Sequence, residues 1–149
     1  MKVLLINGSP KSNGNTYIAI RELEKTFQEN GVETEIIHVG NKAIRGCMAC
    51  MKCFETGKCV FDDIVNETAP KLEAADGIVV ATPVYYASAN GTIITFLDRL
   101  FYSSHFDMRM KVGASVAVCR RGGASATFDE LNKYFIKRNR SSDDASADG

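Results

Sequence analysis

The amino-acid sequence predicts a three-layer α/β domain built on a mostly parallel sheet. Short, continuous apolar runs of the kind that form strands buried on both faces recur along the chain, beginning with residues 2–7. Between these runs lie segments whose apolar residues recur at helical spacing. Strands that alternate with helices in this way are typical of parallel sheets with right-handed crossovers and helices on both faces. A chain of 149 residues is long enough to bury one such core.

The pattern predicts four strands, at residues 2–7, 33–39, 77–82 and 111–118. The first helix is indicated by side chains that share one helical face ahead of an Asn-Gly stop signal: Thr16, Ile20, Leu23 and Phe27. Asp62 or Asp63 is expected to cap a second helix that runs to about residue 75. Pro70 lies inside that segment and predicts a kink or a break into two short helices.

Two further helices are predicted in the second half of the chain. Asn90 is expected to cap a helix with an apolar stripe formed by Ile93, Leu97, Leu100 and Phe101. Ser125 is expected to cap the last helix, whose inward side chains would be Phe128, Leu131 and Phe135. The sequence from Lys137 onward is polar and rich in Ser and Asp, which predicts a disordered tail over 137–149 and a folded domain over 1–136.

Charge and composition exclude several classes of partner. Eighteen Lys and Arg residues balance eighteen Asp and Glu residues, and the basic residues are scattered, whereas nucleic-acid binding needs a basic footprint. No apolar run is long enough to cross a bilayer, and the start of the chain lacks the sections of a signal peptide. We therefore expect a cytoplasmic protein whose cysteines are kept reduced, so that clustered cysteines favour metal binding or redox chemistry over structural disulfides.

Four loops are expected to meet at one edge of the sheet. The loops that leave parallel strands emerge at the same edge, where ligands of open α/β sheets bind. Here these loops cover residues 8–16, 40–61, 82–90 and 119–124, and they hold nearly all the unusual chemistry of the chain. The sequence thus predicts a ligand site at this edge.

The first loop, residues 8–16, has the features of a monophosphate site. It opens a helix whose N-terminal amides suit an anion, and its glycines allow close backbone approach. The spacing fits neither a Walker A loop nor the GxGxxG pattern. The alternative interpretation of this loop is a plain capped turn between strand and helix, with no phosphate site. The expected phosphate-binding residues are Ser9, Lys11, Ser12, Asn13, Gly14, Asn15 and Thr16.

The third and fourth loops are candidates for an aromatic heterocycle. The third offers two adjacent tyrosines and exposed backbone amides, in the run Pro83, Val84, Tyr85, Tyr86, Ala87 and Ser88. The alternative is that a tyrosine packs on a neighbouring helix or subunit. The fourth loop supplies a guanidinium suited to an anionic ring edge or phosphate, with flexible backbone beside it, at Arg120, Gly122 and Gly123. Either Arg120 or Arg121 is expected to be simply solvated.

The cysteines of the second loop have the spacing C-x2-C-x2-C-x5-C, at Cys47, Cys50, Cys53 and Cys59. Four thiolates wrapped in one compact loop are typical of a [4Fe–4S] cluster. Free or redox-active thiols are the second interpretation. Zinc is the third, because structural zinc more often uses two separated C-x2-C pairs. Cys119 lies apart and is expected to pack as a small buried residue.

Three of these motifs, in this order, resemble the NADPH-dependent FMN reductase and iron–sulfur flavoprotein family. They are Gly8-Ser9-Pro10 with Gly14-Asn15-Thr16, then Thr82-Pro83-Val84-Tyr85-Tyr86, then Arg120-Arg121-Gly122-Gly123, and the cysteine spacing is also similar. The resemblance runs from residue 1 to about Phe135. It implies a flavodoxin-like sheet of order 2-1-3-4, and the family's fifth strand is expected to be missing because the chain continues instead into polar sequence. The fourth strand is then expected to form a sheet edge.

The resemblance also implies a cofactor and an activity. FMN would place its phosphate at residues 9–16 and its ring at residues 83–88, with the loop at 120–123 beside it. Electrons would come from NAD(P)H or a protein donor, and the chain would form a homodimer or homotetramer. No general base is nominated, and His38 and His105 are interpreted as structural or solvated. The competing hypotheses are a non-enzymatic electron carrier and a thiol- or metal-based redox sensor without flavin.

Overall fold

The fold is an open parallel sheet covered by helices on both faces, and the computed structural model describes residues 1–138. In chain order the elements are β1 (Lys2–Asn7), α1 (Asn15–Glu29), β2 (Glu33–His38), α2 (Lys52–Thr56), α3 (Ile64–Ala74), β3 (Gly77–Tyr85), β4 (Ser88–Ala89), α4 (Gly91–Ser103), β5 (Val112–Val118) and α5 (Ala124–Arg138). No helix within this part of the chain has the length and apolar character needed to cross a membrane.

The four long strands are parallel and lie in the order β2-β1-β3-β5. This confirms the predicted order 2-1-3-4, with β5 as the fourth parallel strand. The two-residue strand β4 was not predicted; it folds back antiparallel on the end of β3, with Tyr85 opposite Ser88. Within residues 1–138, β5 pairs only with β3 and so forms an edge of the sheet.

The core lies on both faces of the sheet, as three layers require. Side chains alternate along a strand, so Leu4 and Ile6 of β1 face α3 and α4, whereas Leu5 faces α1 and contacts the cluster around Ile20. All four side chains are fully buried. Because β1 is buried on both faces, its sequence is a continuous apolar run rather than an alternating one.

Two predicted caps are confirmed and one is wrong. Asp63 accepts a hydrogen bond from the Val65 amide at 3.0 Å, and Asn90 accepts one from the Thr92 amide at 3.0 Å. Ser125 does not cap α5, because that helix already begins at Ala124. Pro70 does not divide its segment either, since α3 is one helix with Pro70 inside it.

Helix α5 corrects two further expectations. Its buried face is set by Thr127 and Leu131, four residues apart and both 0% exposed, which turns Phe128 outward to 38% exposure. Phe135 packs against the core as expected. The helix continues to Arg138, two residues past the predicted end of the folded domain at residue 136, and the rest of the predicted tail lies outside the described residues.

Candidate functional site

The loop that follows β1 is held in shape by its own hydrogen bonds. The Gly8 amide donates to the Ala81 carbonyl at 2.8 Å, which ties the loop to β3. The Ser9 amide donates to Asn7 Oδ1 at 3.0 Å, and the Lys11 amide donates to Ser9 Oγ at 3.2 Å. Ser9 is buried, and its two hydrogen bonds hold the loop in shape.

Neighbouring strand ends brace the same loop from two sides. His38, the last residue of β2, donates from Nε2 to the Ser9 carbonyl at 2.6 Å; a carbonyl oxygen only accepts, so Nε2 carries the proton. Asn90, at the start of α4, donates from Nδ2 to the Gly8 carbonyl at 2.9 Å. The ends of β1 and β2 and the loop after β3 therefore meet at one rim, as the sequence predicted.

The start of α1 presents polar groups that suit an anion. Gly14 is its N-cap residue, and no side chain caps the helix, so its first amides keep no side-chain partner. Thr16 is buried in the first turn, whereas four predicted phosphate ligands lie exposed around it: Lys11, Ser12, Asn13 and Asn15. This combination of open amides, short polar side chains and one lysine fits a phosphate group.

The tyrosine loop is a tight hairpin between β3 and β4. Tyr86 sits at its tip with a φ of 59°, a left-handed conformation that disfavours residues other than glycine. Tyr86 is fully exposed and Tyr85 is 49% exposed. Among residues 1–138 neither ring is buried against a helix, which argues against the alternative that a tyrosine simply packs on a neighbouring helix. The rings are therefore available to a flat ligand.

The carboxylate of Glu130, on α5, holds the base of the same hairpin. It accepts hydrogen bonds from the Ser88 hydroxyl at 2.5 Å and from the Ala89 amide at 3.2 Å. Since Tyr86 is only two residues before Ser88, this carboxylate fixes the position of the tyrosine loop relative to α5.

The fourth loop packs directly on the tyrosine loop. Gly123 has a φ of +90°, and a Cβ there would lie 2.8 Å from Val84 Cγ1 and 3.1 Å from the Ala87 backbone. Only glycine permits both the conformation and this close approach. Arg120 and Arg121 are exposed beside the contact. Three of the four predicted loops thus form one continuous surface.

The cysteine loop was expected to share one edge with the other three loops, but its cysteines lie against the second half of α4. Cys47, Cys50, Cys53 and Cys59 line one pocket together with Arg99, Tyr102 and Ser103 of α4. None of the residues of the other three loops lines it. Arg99 lies eight residues after Gly91, the first residue of α4, which is about 12 Å along the helix axis. The cysteines therefore flank the rim at a distance of two helical turns.

The four thiols line one pocket, but they are not arranged around the position of a single metal ion. Cys47 and Cys50 are exposed, Cys59 is half-buried and Cys53 is buried, and burial raises the pKa of the Cys53 thiol. Among the described residues no group of three or more His, Cys, Asp or Glu side chains is arranged to hold one metal ion. Cys119, which was expected to be buried, is exposed at the end of β5.

Arg99 of α4 is the buried charge next to this pocket. It donates to Cys59 Sγ at 3.2 Å and to both carboxylate oxygens of Asp63, at 2.6 and 3.0 Å. Burial opposes its charge, but the hydrogen bonds to Asp63 and Cys59 raise the pKa of Arg99 above its ordinary value. The guanidinium therefore stays charged inside the fold.

The sequence interpretation missed several residues of these sites. Arg99 interrupts the apolar stripe of α4 and could have been noticed as a charge that needs a buried partner. The roles of His38 and Glu130 depend on tertiary contacts at 29 and 42 residues' separation, which leave no local signal.

The chain matches the family model of the NADPH-dependent FMN reductases over residues 1–139. An iron–sulfur flavoprotein of Methanocaldococcus jannaschii is 37% identical over 139 residues, which are 91% of this chain and 72% of that protein. An iron–sulfur flavoprotein of Methanosarcina thermophila is 33% identical over 139 residues, covering 91% of this chain and 73% of that protein.

Solved structures share the fold at lower identity. An NADH:FMN oxidoreductase in its apo form superposes with a TM-score of 0.66 at 23% identity, over 93% of this chain and 68% of that one. An FMN-dependent NADH-azoreductase from Bacillus anthracis, in complex with FMN, gives a TM-score of 0.62 at 10% identity, over 93% and 82%. A flavodoxin from the domain Archaea gives 0.61 at 15% identity, over 95% and 77%. With its flavodoxin-like fold and these relatives, this chain belongs to the NADPH-dependent FMN reductase and iron–sulfur flavoprotein family.

Proposed function

We propose that this protein is an FMN-dependent oxidoreductase that takes electrons from NAD(P)H or a protein donor and passes them on. The observation that carries the proposal is the convergence of the phosphate loop, the tyrosine hairpin and the arginine loop at one rim. Asn90 joins the first two through Gly8, and Gly123 joins the last two through Val84 and Ala87. The exposed groups at this rim match the parts of FMN, an anionic phosphate and a flat ring.

Each part of the rim has a role in this proposal. The open amides of α1 and the side chains of residues 9–16 hold the phosphate. Residues 83–88 contact the ring with backbone and aromatic groups, and Arg120 or Arg121 lies beside it. When bound, FMN supplies hydride and electron acceptance, and the chain binds and orients it. No residue of this rim is needed as a general base.

We also propose that Cys47, Cys50, Cys53 and Cys59 hold a [4Fe–4S] cluster. The support is that all four thiols open on one pocket and that similar proteins bear the name iron–sulfur flavoprotein. A zinc ion draws four sulfurs to about 2.3 Å from one centre, whereas a cluster spreads its thiolates over several irons. The compact C-x2-C-x2-C-x5-C spacing favours the cluster. Analysis of iron and acid-labile sulfide after anaerobic reconstitution tests this part directly.

The identity of the electron donor distinguishes an NAD(P)H-dependent enzyme from an electron carrier. Stopped-flow mixing of the FMN-loaded protein with NADPH and, separately, with NADH is expected to bleach the flavin absorbance with at least one of them. If neither bleaches the flavin at a useful rate, the protein is an electron carrier that accepts electrons from a protein partner. A protein that stays colourless after incubation with FMN would instead support the redox sensor.

A further inference from the structure

Arg99 joins the two ends of the cysteine loop to α4. Its side chain is 0% exposed. The guanidinium donates to the Arg45 carbonyl at 3.2 Å, ahead of the first cysteine, and to the Phe61 carbonyl at 3.1 Å, just after the last. The Phe61 ring lies 5.1 Å from the same guanidinium. Only an arginine provides this many donors in one fixed plane.

One nitrogen of the Arg99 guanidinium donates a hydrogen bond to a cysteine sulfur. Arg99 Nε lies 3.2 Å from Cys59 Sγ, while the other two nitrogens pair with the Asp63 carboxylate, whose own side chain also caps α3. Hydrogen bonds to ligand sulfurs and the net charge beside a cluster set its reduction potential. A donor to sulfur stabilises the more negative, reduced form and so makes the potential more positive.

We propose that Arg99 is a positioning residue that orients Cys59 toward the cluster and holds the reduction potential of the cluster at a more positive value. This inference rests on the cluster in the proposed function. A purely structural ion pair would join α3 to α4 and leave the potential unchanged. Asp63 neutralises the charge of Arg99. Substitutions at these two residues can therefore separate the effect of the hydrogen bond to sulfur on the reduction potential from the effect of the net charge.

Two variants of the reconstituted holoprotein separate these effects. The double variant Arg99→Gln/Asp63→Asn removes both charges together, which avoids an unpaired buried charge, and it removes the guanidinium donor to Cys59. Asp63→Asn alone keeps a residue that caps α3 and leaves the positive charge of Arg99 without its counterion. Anaerobic redox titration followed by electron paramagnetic resonance is expected to give a more negative potential for the double variant and a more positive one for Asp63→Asn.

A matched control comes from another Arg–Asp pair. Arg109 and Asp107 are bonded at 2.7 Å on the surface and contact no cysteine, so Arg109→Gln/Asp107→Asn is expected to leave the potential unchanged. Loss of iron from the Arg99 double variant, with FMN binding retained and with full iron content in Asp63→Asn, would also support the positioning role, because Asp63→Asn alone already breaks the ion pair. Unchanged potentials at full iron content in both Arg99 and Asp63 variants would overturn it. A wild-type protein that takes up no iron would instead overturn the cluster itself, and this inference with it.

Discussion

Gly40 lies directly against the backbone of Ser9. A Cβ at residue 40 would overlap the carbonyl groups of Gly8 and Ser9, so the turn after β2 packs backbone to backbone on the phosphate loop after β1. His38, two residues earlier, adds its hydrogen bond to the Ser9 carbonyl. The position of the phosphate loop therefore depends on β2 as well as on its own sequence.

The first prediction concerns this contact. Gly40→Ala is expected to lower the free energy of unfolding by about 3 kcal/mol and to weaken FMN binding, because backbone atoms must move to admit the methyl group. Chemical denaturation and FMN titration measure the two effects. Gly46→Ala is the matched control, since a Cβ there meets nothing within 4 Å. Equal behaviour of the two variants would contradict the account of the phosphate loop.

At the tip of the tyrosine hairpin, one substitution is expected to raise the stability of the protein and to weaken FMN binding. Tyr86→Gly is expected to stabilise the FMN-free protein by about 1 kcal/mol, because glycine tolerates the φ of 59°. The same change is expected to weaken FMN binding by roughly 10-fold through loss of the ring contact. Tyr86→Phe keeps the ring and should change neither quantity much. A glycine variant that binds FMN as tightly as wild type would rule out the proposed contact.

Glu35 makes part of the stability depend on pH. Its carboxylate lies 2.6 Å from Lys71 Nζ and 3.1 Å from Lys2 Nζ, and hydrogen bonds from Lys71 first and Lys2 second lower the pKa of Glu35 below its ordinary 4.5. A carboxyl whose pKa is lower in the folded state stabilises the fold above its unfolded pKa. That contribution is lost as the pH falls through the folded pKa.

Glu35→Gln is therefore expected to flatten the fall in unfolding free energy on acidification below about pH 5. The cost at neutral pH should stay below about 1 kcal/mol, because the lysine partners are partly exposed. Urea denaturation at a series of pH values measures this. Glu22→Gln, at a site with no ion pair among the described residues, provides the control. An acid profile that is unaltered by Glu35→Gln would show that this network adds no pH-dependent stability.

Thiol labelling tests the cysteine pocket. In the reduced, metal-free protein the exposed Cys47, Cys50 and Cys119 are expected to react with a maleimide before the buried Cys53. After anaerobic reconstitution with iron and sulfide, the four pocket cysteines should be protected while Cys119 still reacts. Mass spectrometry of the labelled peptides reports each site. Protection of Cys119 together with the others, or continued labelling of Cys47, would speak against a cluster in this pocket.

Periodicity alone was enough to predict the layers and the parallel strands, whereas the strand order was implied by the family resemblance. The run at residues 2–7 is largely apolar because β1 is buried on both faces, and a run of this kind can be recognised in the sequence alone. The cap at Asn90 was also predictable, because capping depends on residues close in the chain.

Features that depend on distant contacts were not predictable in the same way. The strand β4 is two residues long, and its turn has tyrosine where a glycine would normally mark a hairpin. Cys119 was expected to be buried, but it follows β5 at the open edge of the sheet. The cysteine loop lies against α4 because Arg99 binds both its ends, and spacing along the chain does not show such a contact.

The most direct test of the central claim compares FMN with riboflavin by calorimetric titration of the FMN-free protein. If the rim around Ser9 and Tyr86 binds the cofactor as proposed, one FMN binds per chain, and riboflavin, which lacks the phosphate, binds about 100-fold more weakly. Equal affinity for the two ligands, or no binding of either, would contradict the account.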